Sequence, residues 1–142
     1  MANELLDLTV VTPERALVHE KVDEVQVPGQ KGYLGLLPGH APLFSQLTVG
    51  ELSYRQGNKE HSIAIAEGFV EVFDDEIRVL ADVAEPSAEL DVVRATEALG
   101  RAEELVSGGG DDVDYPRALA ALERAKLRIR LGGRGMRDRV RL

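Results

Sequence analysis

The sequence predicts an α+β protein in two parts, an N-terminal antiparallel β-sandwich followed by a C-terminal antiparallel helical hairpin. Three observations predict it. Residues 4–85 hold short apolar runs that alternate with a period of two and are interrupted by turn residues. After Glu85-Pro86-Ser87 the apolar spacing lengthens to that of a helix, in two successive stretches. Glycine clusters at 108–110 and 132–133 close those stretches. The domains expected are 1–86, the sandwich; 87–131, the two helices; and 132–142, a basic flexible tail.

Each element has its own warrant. Leu6–Val11 is a strand that ends at Thr12-Pro13, and Val22, Val25 and Val27 lead into Pro28-Gly29. Runs 51–55 and 61–65 flank Gln56-Gly-Asn-Lys59, a hairpin signal, and runs 70–73 and 76–80 flank Asp74-Asp75, a second one. Ile63/Ile65, Val70/Val72 and Ile77/Val79/Ala81/Val83 alternate as on a half-buried antiparallel sheet. Several short strands at this spacing point to a sandwich or barrel. Ser87 is the expected N-cap of the first helix, with Glu89 and Asp91 placing negative charge in its first turn. Its apolar stripe is Val92, Ala95, Leu99, Ala102 and Val106, and Ser107-Gly-Gly-Gly110 stops it. The second helix starts at Asp111-Asp-Val-Asp114, carries Tyr115, Ala118, Leu119, Leu122, Ala125 and Ile129, and is expected to end at Gly132-Gly133.

Composition narrows the function. Hydrophobic residues make up 44% of the 142, but aromatics only 4%, so the core is built from Val, Leu, Ile and Ala. With no cysteine, disulfides and thiolate metal sites are excluded. The N-terminus has no basic region followed by a long apolar run, and no stretch approaches the roughly 18 apolar residues of a membrane span. A soluble protein is expected. No Lys is followed by Ser or Thr, the three histidines lack metal-ligand spacing, and no Gly-x-Ser-x-Gly occurs, so catalysis is not expected and no metal is called for. Net charge is −8, yet residues 124–142 hold eight bases against Asp138 alone, leaving −15 on the other 123 residues. A basic tail on an acidic body suits an acidic partner or phosphates, or serves solubility alone.

One stretch resists the usual reading of loops as polar. Gly32-Tyr-Leu-Gly-Leu-Leu-Pro-Gly-His-Ala-Pro-Leu43 has three glycines and two prolines, but also four leucines, one histidine (His40) and no Asp, Glu, Lys or Arg. It resembles the Gly-Glu-Leu-Gly-Ile-Leu-Pro-Gly-His-Ala-Pro-Leu signature of the epsilon subunit of F-type ATP synthase. Ala66-Glu-Gly-Phe-Val-Glu-Val72, Val79-Leu-Ala-Asp82, Leu90-Asp-Val-Val-Arg-Ala95 and Asp111-Asp-Val-Asp-Tyr115 resemble further segments of that family, in order, so the resemblance covers roughly residues 5–131. It implies a non-catalytic rotor subunit that couples proton flow to ATP synthesis and restrains hydrolysis through its C-terminal helices. The implied partners are the gamma subunit, the membrane c-ring and, through the helices, the alpha/beta catalytic hexamer. The implied location is peripheral, on the cytoplasmic face of the bacterial cell membrane.

In this family the opening segment faces other rotor subunits, which makes Leu34, Leu36, Leu37, Pro38, His40 and Pro42 the expected interface. Leu34 and Leu36 also suit a loop that covers the sandwich's own end. The sequence departs from the family at Tyr33, where an acid is usual, and at Glu67, where Gly is usual.

Some bacterial members bind ATP on the folded hairpin, and the resemblance carries that role to Glu85, Leu90, Asp91, Arg94, Ala95, Arg101, Arg124 and Arg128. The residues agree with it. Asp91, Arg94 and Arg101 share a helix face, Arg124 and Arg128 share another, and a fold-back concentrates guanidinium groups that suit phosphate oxygens. The plain alternative for these arginines is a solvated helix face. ATP here is a regulatory ligand held without hydrolysis, and no obligate cofactor is expected. Two rivals remain: a free-standing nucleic-acid-binding protein acting through the Arg-rich tail, and a stand-alone nucleotide sensor. The acidic body and the scarcity of aromatics argue against nucleic acid.

Overall fold

A computed structural model describes residues 4–110 and 112–140, with side chains placed for all of these except 88 and 133–140. It divides into two units, Met1–Pro86 and Ser87–Leu142.

The first unit is an eight-stranded sheet folded into a sandwich: β1 (Leu6–Val11), β2 (Ala16–Val22), β3 (Glu24–Gly29), β4 (Gly32–Leu36), β5 (Leu43–Leu47), β6 (Gly50–Gln56), β7 (Lys59–Phe73) and β8 (Glu76–Pro86). Hydrogen bonding runs β2-β1-β8-β7-β5-β3-β4, and β6 bridges β3 to β7. Closure follows from sharing. The first half of β7 pairs with β6 and the second half with β5, while β3 pairs with both. The pairs are antiparallel except β1 with β8, which is parallel. Those strands come from opposite ends of the unit, so no hairpin dictates their relative sense. Both expected hairpins are present, with positive φ at Gly57 (60°) and at Asp74 and Asp75 (50° and 61°), as two-residue turns require.

The core is Leu, Val, Ile and Ala with Tyr54, and none of the described buried side chains is charged or polar apart from that phenol. Its alternation changes phase halfway along the β7–β8 ribbon. On β7 the core members are Ile63 and Ile65, then Val70 and Val72; on β8 they are Ile77, Val79 and Ala81, then Ala84. Val83, expected to continue the inward set, is 39% exposed. The two flips lie at one level, where Ala66 pairs with Val83 and Gly68 with Ala81. Glu67 and Gly68, with φ of 59° and 151°, turn the ribbon there.

The second unit has a 3-10 turn (Ser87–Glu89), α1 (Val92–Gly108) and α2 (Tyr115–Val140). Ser87 is not the cap. Asp91 is: its backbone is extended and its carboxylate accepts from the Arg94 N–H at 3.1 Å, because Ser87 lies a full turn too early to reach α1. Asp114 accepts likewise from the Arg117 N–H at 3.2 Å. The helices are antiparallel. Gly109 abuts Val113 at the turn, and Gly132 abuts Leu90 and Val92 at the other end.

The expected stop at Gly132-Gly133 is corrected, since α2 continues to Val140. Glycine costs a helix only about 1 kcal/mol, and Gly132 has another use. A Cβ there would stand 2.7 Å from Val92 Cγ2 and 3.3 Å from Leu90 Cβ. The second stripe is also corrected. Ala118, Ala125, Leu127 and Leu131 are buried, whereas Tyr115 and Leu119 are 45% and 47% exposed. Small residues let helices approach closely, and a close contact covers a narrow strip that leaves the flanking positions in water.

Candidate functional site

The segment from Gly32 to Leu43 is part strand and part turn. Through β4 it keeps strand alternation, so Leu36 is fully buried and Leu34 packs on the core. Both therefore help close the sandwich's own end: Leu36 offers no exposed surface, and Leu34 remains half-buried. Leu37 is 54% exposed.

Leu37-Pro-Gly-His40 then forms a type II turn. The His40 N–H donates to the Leu37 carbonyl at 3.1 Å, Pro38 supplies the fixed φ, and Gly39 takes φ 85°. Pro38 has no N–H, and the turn's own hydrogen bond uses that of His40. The remaining donor, the Gly39 N–H, donates to Oδ1 of Asp75 at 2.7 Å. His40 Nδ1 lies 2.7 Å from the Ala41 carbonyl. A carbonyl can only accept, so Nδ1 carries a proton. Pro42 and Ala41 are exposed. The two N–H groups at Gly39 and His40 are thus both satisfied, the first by Asp75 of the sandwich and the second within the turn.

Sequence reasoning missed the exposed apolar groups of β5, β7 and β8. Phe44 on β5 and Phe69 on β7 stack with centroids 5.5 Å apart, although they are 68% and 43% exposed. Leu80 pairs with Phe69 across β7–β8, and Phe73 precedes the Asp74-Asp75 turn. Exposed apolar area gathered in this way marks contact surfaces. The available signal was phase, since Phe69 and Phe73 occupy the outward positions beside buried Val70 and Val72.

Both departures from the family have a structural account. The Tyr33 hydroxyl accepts from the Glu51 N–H at 3.0 Å, tying β4 to β6. Glu67 occupies left-handed backbone, φ 59°, where glycine is the residue without strain.

The eight residues expected to hold ATP divide between the units. Glu85 is in β8, opposite Ala64. The other seven lie in the hairpin unit. Leu90 and Ala95 are buried, Asp91 is occupied as the cap of α1, and Arg94 and Arg101 are exposed, with Arg124 and Arg128 half-buried. The antiparallel packing that sets Val92 beside Gly132 puts Arg94 and Arg128 toward the same end of the hairpin. Among the described residues, Arg94, Arg101 and Arg124 have no carboxylate within 4.0 Å. Nor does any group of three or more His, Asp or Glu among them suit a metal ion.

Fold and surface define the class first: a β-sandwich followed by a two-helix unit, with exposed apolar turns and arginines as its distinctive groups. The beta-sandwich domain of the ATP synthase delta/epsilon chain matches residues 5–87, and the long alpha-helix domain of the same chain matches 88–133. The chain belongs to that family. It is 50% identical over 124 residues to the ATP synthase epsilon chain of Solibacter usitatus, covering 87% of this chain and 92% of that one. It is 45% identical over 136 residues to the ATP synthase epsilon chain 2 of Syntrophotalea carbinolica, covering 93% and 96%. Among solved structures it is similar to a chain of the Euglena gracilis mitochondrial ATP synthase, determined by cryo-EM with OSCP, F1 and c-ring. That match has TM-score 0.79 and 25% identity, over 89% of this chain and 80% of the other.

Proposed function

We propose that the chain is the non-catalytic epsilon subunit of the rotor of a bacterial F-type ATP synthase. It docks through its sandwich on the gamma subunit and the membrane c-ring. The observation that carries this reading is the pre-formed apolar turn at Leu37–His40, in a chain whose relatives are ATP synthase epsilon chains. Among the described residues no helix is long and apolar enough to cross a membrane, so attachment to the cytoplasmic face is through the complex. The hairpin restrains hydrolysis when it reaches the alpha/beta hexamer, and regulatory ATP favours its folded form through Arg94, Arg101, Arg124 and Arg128. Among the described residues Arg94, Arg101 and Arg124 have no carboxylate within 4.0 Å, which supports the ATP reading, because clustered guanidinium groups gain most from an added anion.

Isolating the chain by an affinity tag from solubilised membranes tests the assignment, and the alpha, beta, gamma and c subunits should accompany it. Recovery of the chain alone, or with nucleic acid, would sink it. Truncation after Ser87 tests regulation: coupled synthesis should persist while hydrolysis by the complex rises. Equal hydrolysis with and without residues 88–142 would remove the inhibitory role and leave the docking role intact.

A further inference from the structure

The β7–β8 hairpin contributes more than a connection. Its turn, Phe73-Asp74-Asp75-Glu76, has left-handed backbone at both central residues, and Asp75 is used three ways. Its backbone supplies the second positive φ. Its carbonyl accepts from the Asp7 N–H of β1 at 2.9 Å. Its carboxylate accepts from the Gly39 N–H at 2.7 Å, a bond spanning 36 residues of sequence. The distance is short for a neutral N–H donor, as expected when the acceptor is charged.

Gly39 is the residue of the apolar turn that most needs such a partner. It is the most permissive residue of the turn, and the turn's internal hydrogen bond does not use its N–H. Without Asp75 nothing else described holds this peptide, and Leu37 and Pro38 could pivot on β4. Asp75 itself is anchored on two strands, so the restraint reaches the turn from the body of the sheet.

We propose that Asp75 is a positioning residue for partner docking, clasping the Leu37–His40 turn in its binding conformation; this rests on the reading that the turn docks on the gamma subunit. A turn ordered before binding loses less freedom on docking, so the clasp acts on affinity without touching the partner. The chain had no visible reason for an acid at 75 beyond turn preference, and the clasp supplies one.

Two substitutions separate the clasp from the hairpin that carries it. Asp75→Gly suits φ 61° better than Asp does and removes only the carboxylate. Asp75→Asn keeps a left-handed-tolerant residue and an oxygen that can accept from Gly39. The full chain, each variant and Leu37→Asp are titrated against purified gamma subunit, with thermal unfolding of each recorded alongside. Asp75→Gly should bind roughly tenfold more weakly at an unchanged unfolding midpoint, and Asp75→Asn should recover most of that loss. Faster amide exchange at Gly39 in the Gly variant, and its reversal in the Asn variant, should accompany the affinities. Native affinity for Asp75→Gly beside a loss for Leu37→Asp overturns the clasp and leaves the docking reading standing. Equal weakness of the Asn and Gly variants overturns it too, because the acceptor oxygen would then be irrelevant. Native affinity for all three, Leu37→Asp included, overturns the docking reading and the clasp with it.

Discussion

Gly132 of α2 rests against Val92 of α1, and a methyl group added to it would stand 2.7 Å from Val92 Cγ2. The contact closes the open end of the hairpin, farthest from the 109–113 turn. Gly132→Ala should loosen it, because overpacking costs about 1–3 kcal/mol against roughly 1 kcal/mol gained in helix propensity. Gly100 has nothing within 4 Å of an added Cβ, so Gly100→Ala should stabilise α1 by about 1 kcal/mol. Amide exchange across α1 reads both changes. Greater protection in the Gly132 variant would mean that the helices do not depend on this approach.

At the corner of the sandwich, two neighbouring residues predict opposite outcomes. Glu67 bears the strain of φ 59°, worth roughly 1–2 kcal/mol for a residue with a Cβ. Glu67→Gly should stabilise the chain by up to about 1 kcal/mol after the entropy cost of glycine, and Glu67→Ala should give none of that. A Cβ on Gly68 would collide with the Leu80 carbonyl and lie 2.8 Å from the Ala81 Cα. Gly68→Ala should therefore cost on the order of 3 kcal/mol, since backbone on a paired strand cannot yield cheaply. Thermal unfolding of the three variants checks the set.

Adjacent leucines should also behave differently. Leu37→Asp, at an exposed position, should leave stability within about 0.5 kcal/mol of the original. It should weaken binding to gamma by several kcal/mol, because docking would desolvate an unpaired charge. Leu36→Asp buries that charge in the core and should unfold the sandwich. Folded Leu37→Asp protein that binds gamma unchanged would sink the interface.

ATP, if it binds the folded hairpin alone, should stabilise the isolated subunit by about 2.7 kcal/mol at 100 times its dissociation constant. Arg94→Ala or Arg128→Ala should abolish most of that gain and Arg124→Ala part of it. Arg117→Ala, on the same helix near the turn, is the charge-matched control and should change nothing. Calorimetric titration decides. An equal loss in the Arg117 variant would indicate non-specific attraction, and no heat from the native chain at millimolar ATP would remove the site.

Tyr54 gives the sandwich an alkaline limit. Burial first, and the charge of Glu20 second, raise its phenol above 10.0. The folded chain thus holds this proton more tightly than the unfolded one. The linked stability is fully present below pH 10 and is lost as pH climbs through the raised value. Tyr54→Phe should flatten that decline relative to the native chain in denaturant unfolding between about pH 9 and 12. The ring's stack on His61, 4.9 Å between centroids, is retained in the variant, so a general loss of packing is separable.

The elements visible in the sequence were those whose signal is local. Gly57 and Asp74-Asp75 announced their hairpins through left-handed preference, and Ile63/Ile65 and Ile77/Val79 announced strands through alternation. The misread positions carry signals with two physical meanings. Glycine at 132 reads equally as a helix stop and as a close approach, and only the presence of Val92 opposite decides. Leu36 and Leu37 are identical in type and adjacent, but the phase of β4 sends one inward and leaves the other beyond the strand. The parallel β1–β8 pair and the Asp75–Gly39 bond join distant segments, which no window along the chain displays.

The paired change of phase on β7 and β8 bears on how this chain tolerates insertions and deletions. Each strand carries one residue more at the corner than a straight ribbon with the same inward set would need. Losing one from β7 alone would slide its first half a position along β8, setting Ile63 and Ile65 against residues that face the other way. Losing one from each, at the same level, would restore matched faces but straighten the ribbon that carries β7 from β5 to β6. Length at this corner is consequently a property of two strands together, and a single-residue deletion in either is the change the sandwich can least absorb.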